Sequence, residues 1–156
     1  MINNINDLKE KLISRGIAQE YQLVGCSPQE LIQIEEKYGQ LPTSYKQIME
    51  LLGRRAGKLV DRYEFDFYID QIIKLNEDFL NLIQDEIEET GLSKNIFLIC
   101  SRYGSNDEFI LTEDGEDSPV FAINDNGDVK QRFQSIWEWI ESFIEDSIAI
   151  MKLQQL

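Results

Sequence analysis

The segment Ser27-Pro28-Gln29-Glu30-Leu31-Ile32-Gln33-Ile34-Glu35-Glu36-Lys37-Tyr38-Gly39-Gln40-Leu41-Pro42-Thr43-Ser44-Tyr45-Lys46-Gln47-Ile48-Met49 carries the densest structural punctuation in the chain. Ser27 can accept from the free N–H groups of a first helical turn, Pro28 suits the first helical position, and Glu30 completes a capping box. Leu31, Ile34 and Tyr38 then fall on one helical face, and Gly39 supplies a left-handed stop. Leu41-Pro42 makes a tight connection into a second helix, where Tyr45, Ile48, Met49 and Leu52 keep helical spacing as far as Gly53.

Working outward, Leu8, Leu12 and Ile13 predict a short amphipathic helix from about Asn6 to Arg15, closed by Gly16. A third helical region is predicted from Asp70 to Thr90, ending at Gly91, with apolar positions Ile72, Ile73, Phe79, Leu80, Ile83 and Ile87 and a break near Asn76. Beyond it the period changes. The runs 96–100, 108–112, 120–124 and 129–133 are short and rich in β-branched and aromatic residues. Glu113-Asp114-Gly115 and Asp125-Asn126-Gly127-Asp128 are hairpin-type turns, and such short links force antiparallel neighbours. Ser135, with Glu138 three positions on, opens a closing helix whose apolar face holds Trp139 or Ile140, Phe143, Ile144 and Ile148. The predicted class is α+β: one antiparallel meander of about four to six strands flanked by helices.

At 156 residues the chain is the length of one domain. It has 15 Lys and Arg against 29 Asp and Glu, a formal charge of −14, and no His. Missing histidine excludes Ser-His-Asp triads, Cys-His pairs and His-ligated metals. The acidity argues against direct nucleic-acid binding and against docking on anionic membranes. No window approaches the 18–20 or so apolar residues of a membrane span. Cys26 and Cys100 match no metal-ligand or redox spacing and read as two reduced thiols, which favours a cytoplasmic location. The opening residues Met1 to Asp7 lack the basic and apolar regions of a signal peptide.

No catalytic, cofactor or metal site is expected. Asn124-Asp125-Asn126-Gly127-Asp128 superficially resembles a calcium loop, but Ala122 and Phe133 stand where that motif needs acids. Gly104-Ser105-Asn106-Asp107 lacks the lysine of a phosphate loop, and Asp107-Glu108 would repel phosphate. Acids abound, but no opposed pair stands out for glycoside or metal-dependent hydrolysis, and no Gly-x-Ser-x-Gly or Ser-x-x-Lys spacing occurs.

The charge distribution says more. Between positions 107 and 128 stand Asp107, Glu108, Glu113, Asp114, Glu116, Asp117, Asp125 and Asp128, with no Lys or Arg. Asp85, Glu86, Glu88 and Glu89 gather near a predicted helix C-terminus, where the helix dipole disfavours them. A solvated acidic face explains these acids as well as a surface that steers a basic partner does. Lys46, Arg54, Arg55, Lys58 and Arg62 form a basic cluster that either neutralises nearby acids or holds an anion. Trp137 and Trp139 lie on different helix faces, one in the core and the other, taken as Trp137, a contact anchor.

The 27–49 segment resembles the opening of the SUKH superfamily, which includes the Smi/Knr-type cell-wall-assembly regulators: a capped helix ending in Tyr-Gly, then Leu-Pro, then Tyr-Lys in a second helix. The run from Tyr103 to Leu111 resembles that family's turn-Asp-strand element, Pro119-Val120-Phe121 its Pro-Val-Tyr strand, and the run from Phe133 to Ile140 its closing helix. Two positions depart: Gly53-Arg54-Arg55-Ala56-Gly57 replaces Asn-Gly-Gly, and Ser105-Asn106-Asp107 replaces Gly-Gly-Asp. The resemblance implies a single domain with a helical extension over 1–24 and a family core over 25–150. It further implies a non-enzymatic bacterial immunity protein that binds and occludes a basic toxin domain, a nuclease by expectation. The alternative it implies is a regulatory or scaffold domain that binds a cellular protein. The expected interface comprises Asp107, Glu108, Glu113, Asp114, Glu116, Asp117, Asp125, Asp128 and Trp137, on a monomer or weak homodimer.

Overall fold

The reciprocal cap predicted at Ser27 forms: Ser27 Oγ accepts from the Glu30 N–H at 3.2 Å, and Glu30 Oε1 accepts from the Ser27 N–H at 3.0 Å. It starts the second helix of a computed structural model that describes residues 1–90, 95–116 and 118–155, with backbone alone over 82–90. In chain order the elements are α1 (Ile5–Ser14), β1 (Leu23–Val24), α2 (Pro28–Tyr38), α3 (Thr43–Leu52), β2 (Arg55–Ala56), β3 (Phe65–Asp66), α4 (Ile69–Thr90), β4 (Ile96–Arg102), β5 (Asn106–Leu111), β6 (Val120–Ile123), β7 (Val129–Phe133) and α5 (Ile136–Gln154). Gly39 ends α2 at φ 106°, and Glu35 Oε2 accepts from the Leu41 N–H at 2.9 Å, fixing the turn into Pro42 and α3.

The five strands β3-β4-β5-β6-β7 form one antiparallel meander in sequence order, so the chain is α+β as the patterning predicts. β1 and β2 make a separate two-stranded ribbon, Leu23 opposite Ala56, that the sequence did not signal. The ribbon requires Gly25, because a Cβ there would overlap the Glu50 carbonyl. At the far margin β7 has β6 on one side, and its residues 129–132 are exposed.

Phe97 stands opposite Ile110 on one sheet face. On that side Tyr45 of α3 lies 6.0 Å from the Phe97 ring and 6.3 Å from Trp139 of α5. Phe67 stacks on Trp139 at 5.5 Å, and Phe143 meets both rings edge-on. Leu8 and Leu12 of α1 join the same core, so residues ahead of 25 share it. Each such side chain contributes about 1.5–3 kcal/mol by leaving water. On the opposite face Phe109 stacks on Phe121 at 5.4 Å.

The break expected near Asn76 does not occur, because α4 is continuous from Ile69 to Thr90. Asn76 is 1% exposed and aims its amide at β4. Its Oδ1 accepts from the Leu98 N–H at 2.8 Å, while its Nδ2 donates to the Leu98 carbonyl at 2.9 Å and to the Ile72 carbonyl at 3.0 Å. β3 pairs with β4 at residues 101 and 102 and stops short of Leu98. The Asn76 carboxamide therefore stands in for a missing strand residue, meeting the backbone demand that a buried N–H and C=O be paired. Among the described residues no helix is long and apolar enough to cross a membrane.

Candidate functional site: an acidic surface divided between two ends of the sheet

In a meander, successive links alternate between the two ends of the sheet. The β5–β6 link, with Glu113, Asp114 and Glu116, therefore lies at one end, and the β6–β7 turn, with Asp125 and Asp128, at the other. The six residues of β5 hold them roughly 20 Å apart. The acids of the expected interface thus stand at two ends of the sheet. Asp117 lies outside the described residues, as do the side chains of the helix-end acids Asp85, Glu86, Glu88 and Glu89.

At the first end the acids have structural duties. Glu113, at φ 69°, donates its N–H to the Gln40 carbonyl at 3.0 Å and accepts the Gln40 N–H on Oε1 at 2.7 Å. Thr112 Oγ1 donates to the Tyr38 carbonyl at 2.8 Å, and Thr43 Oγ1 donates to Glu116 Oε1 at 3.1 Å. The acidic link is thereby latched to the α2–α3 junction, and a Cβ at Gly39 would intrude on Thr112. Glu113, Asp114 and Glu116 remain exposed. Trp137 opens α5 just after β7 and belongs to this end, half-buried against the core; Trp139 is the core residue of the pair.

At the second end Asn124 Oδ1 accepts from the N–H groups of Asn126 at 2.9 Å and Asp128 at 3.0 Å, so the expected turn forms and leaves Asp125 and Asp128 exposed. Asp107 is half-buried opposite Ser101, which in turn faces Asp66. Burial first, and then the Asp107 charge, pushes the Asp66 carboxyl above its usual range.

Glu108 is not a surface residue, which corrects its placement in the interface. It is wholly buried: Oε1 accepts from Arg102 Nε at 3.0 Å and from Trp139 Nε1 at 3.0 Å, and Oε2 lies 3.3 Å from Arg132 Nε. A carboxylate inside a core needs charge partners, and two arginines and an indole supply them. The two-residue strand period gives a clue, since it places Glu108 on the face of core residue Ile110; the partners from β4, β7 and α5 come together in the fold alone.

The basic cluster is turned on carboxylates. Arg54 pairs with Glu30, Arg62 reaches Asp70 at 3.0 and 3.2 Å while lying 4.4 Å over the Tyr68 ring, and Lys46 meets Glu35 at 3.5 Å. Neutralisation accounts for these three side chains; Arg55 and Lys58 are exposed. Both cysteines are free and buried, and burial pushes the Cys26 thiol up to about 11 and the Cys100 thiol well above its ordinary value. Among the described residues no three His, Cys, Asp or Glu side chains group so as to hold a metal ion.

The family model described as the SMI1 / KNR4 family (SUKH-1) matches residues 25–142, more than half of the chain. The match begins at the glycine that lets the β1–β2 ribbon approach α3 and ends within α5. No curated protein matches the chain.

Proposed function

The chain belongs to the SMI1/KNR4 (SUKH-1) family, and from that premise we propose that it is a non-enzymatic immunity protein that binds and occludes a basic toxin domain of nuclease type. Domains of this family are generally non-enzymatic binding domains. The observation that carries the reading is the latched acidic link: exposed Glu113, Asp114 and Glu116, with the Glu113 backbone and carboxylate held by Gln40 and the Glu116 carboxylate by Thr43, and Trp137 at the same end of the sheet. A nuclease cleft is basic because it must hold phosphates, so preordered carboxylates can occupy it as phosphate substitutes. Preordering lowers the entropy lost on binding, and a neighbouring indole supplies an anchor. No chemistry is required of the inhibitor; occlusion suffices.

The immobilised protein should recover one toxin domain at near-equal stoichiometry from lysate of its source strain, with binding that weakens as salt rises. Asp114→Lys with Glu116→Lys should weaken that binding at least tenfold and flatten its salt dependence. Unchanged affinity would remove the link from the interface, and recovery of housekeeping proteins alone would favour a regulatory or scaffold role in the cell.

A further inference from the structure

A groove of about 790 Å³ lies between the C-terminal half of α5 and the segment 58–65, at the sheet end that carries the β4–β5 turn. Leu59, Phe65 and Phe143 form its apolar floor, and Ile150 and Tyr103, 55% and 67% exposed, stand at its mouth. Three carboxylates line its rim, Asp61, Glu64 and Asp146, against Lys58; Arg102, buried over the Phe143 ring at 4.5 Å, lies 3.9 Å from Asp146.

Tyr103 is the unusual residue. It adopts φ 57° and Gly104 φ 70°, in a turn closed by the Ser105 N–H donating to the Arg102 carbonyl at 3.1 Å. Two successive left-handed residues suit Asn-Gly, and a bulky side chain is disfavoured at the first of them. What the tyrosine adds is an aromatic plate at the groove mouth, its ring 5.1 Å from Phe65. Its N–H donates to the Glu64 carbonyl at 2.8 Å, which ties the turn to the groove wall. Residues held in sparsely populated backbone regions gather at binding sites, where the surroundings over-determine them.

We propose that this groove is a docking site for a protein segment presenting an aliphatic side chain flanked by Arg or Lys. The apolar floor takes the aliphatic group, Tyr103 covers it from the mouth, and the rim carboxylates pair with the flanking cations. A second copy of this chain is disfavoured as occupant, because each copy carries −14 and would bring acids to an acidic rim. The groove stands apart from the latched acidic link and does not depend on the toxin reading.

The test is a titration of isotopically labelled full-length protein, followed by NMR, with three synthetic peptides: alternating Leu and Arg, alternating Leu and Glu, and Arg with Gly. The Leu-Arg peptide should shift the Leu59, Ile150 and Met151 methyls and the Tyr103 ring at the lowest concentration, and the Leu-Glu peptide should shift none of them. Asp61→Lys with Asp146→Lys should weaken Leu-Arg binding at least fivefold, whereas Asp114→Lys should leave it within twofold. Tyr103→Asn, which suits the turn, should keep the melting temperature and weaken the peptide at least threefold. Shifts confined to the sheet-end acids, equal affinity for the Arg-Gly peptide, or groove shifts that grow with protein concentration alone would each overturn the proposal.

Discussion

Replacing Asn76 with aspartate exchanges one NH2 group for an oxygen of nearly equal size, and it tests whether the side chain acts as a strand surrogate. Oδ1 would still accept the Leu98 N–H, but the second oxygen would face the carbonyls of Ile72 and Leu98, both of which now receive a hydrogen bond. An ionised carboxylate there is buried against two oxygens, so its pKa in the folded state must rise above the unfolded value of about 3.9. Below that value the group is protonated in both states and the variant is closest to wild type. Above it the unfolded chain ionises first, and stability falls by about 1.4 kcal/mol per pH unit until the folded pKa is reached. Between pH 5.5 and 7.5 the variant should therefore lose up to about 2.7 kcal/mol relative to wild type, the full amount if its folded pKa lies above that range. Asn76→Ala leaves the Leu98 N–H and carbonyl unpaired and should cost about 2–6 kcal/mol at every pH, at about 1–3 per orphaned group. Urea unfolding followed by fluorescence of the buried Trp139 measures both. A pH-independent difference for the aspartate, or an alanine variant within about 0.5 kcal/mol of wild type, would refute the role assigned to this amide.

Glu108→Ala should destabilise by about 3–5 kcal/mol, because the buried Arg102 would keep only the 3.9 Å contact with the exposed Asp146; chemical unfolding checks it, and a loss as small as that of an exposed acid such as Asp125 would show the cluster to be solvated. Cys26, buried and with its thiol pushed up to about 11, stays protonated at neutral pH. It should react with a thiol reagent at pH 7.5 no faster than the protein opens, and added urea should accelerate it.

The parts of the fold legible in the sequence are those whose determinants are local. The Ser27 cap, the Gly39 stop and the Leu41-Pro42 junction act over a few residues, so residue types suffice to place α2 and α3. The strand at 129–133 falls on the residues expected, because Asn124 and Gly127 fix the turn before it. The closing helix was equally legible, although Glu138 Oε2 accepts from the Gln134 N–H at 2.7 Å instead of closing the box on Ser135. β1, β2 and β3 have two residues each, too few to show a period, and their partners lie far along the chain. Asn76 and Glu108 mislead for one reason: a polar residue reads as exposed or helix-breaking until its distant partners are known. The acidic surface was legible as charge and illegible as geometry, since a strand's length sets the spacing of its two ends.

The sheet's two margins are closed to other chains in different ways. On the β3 side, the part of β4 beyond the short strand is blocked by a side-chain amide at Leu98. On the β7 side the backbone is open; Arg132 is turned on Glu108, and Lys130 stands exposed in a molecule otherwise dominated by acids. A second copy adding itself there as an antiparallel strand would bring the Lys130 side chains of the two copies towards each other, and like charges on opposed strands are destabilising. Anionic character keeps whole molecules apart at long range, while the exposed lysine on β7 disfavours edge-to-edge pairing at this margin of the described sheet.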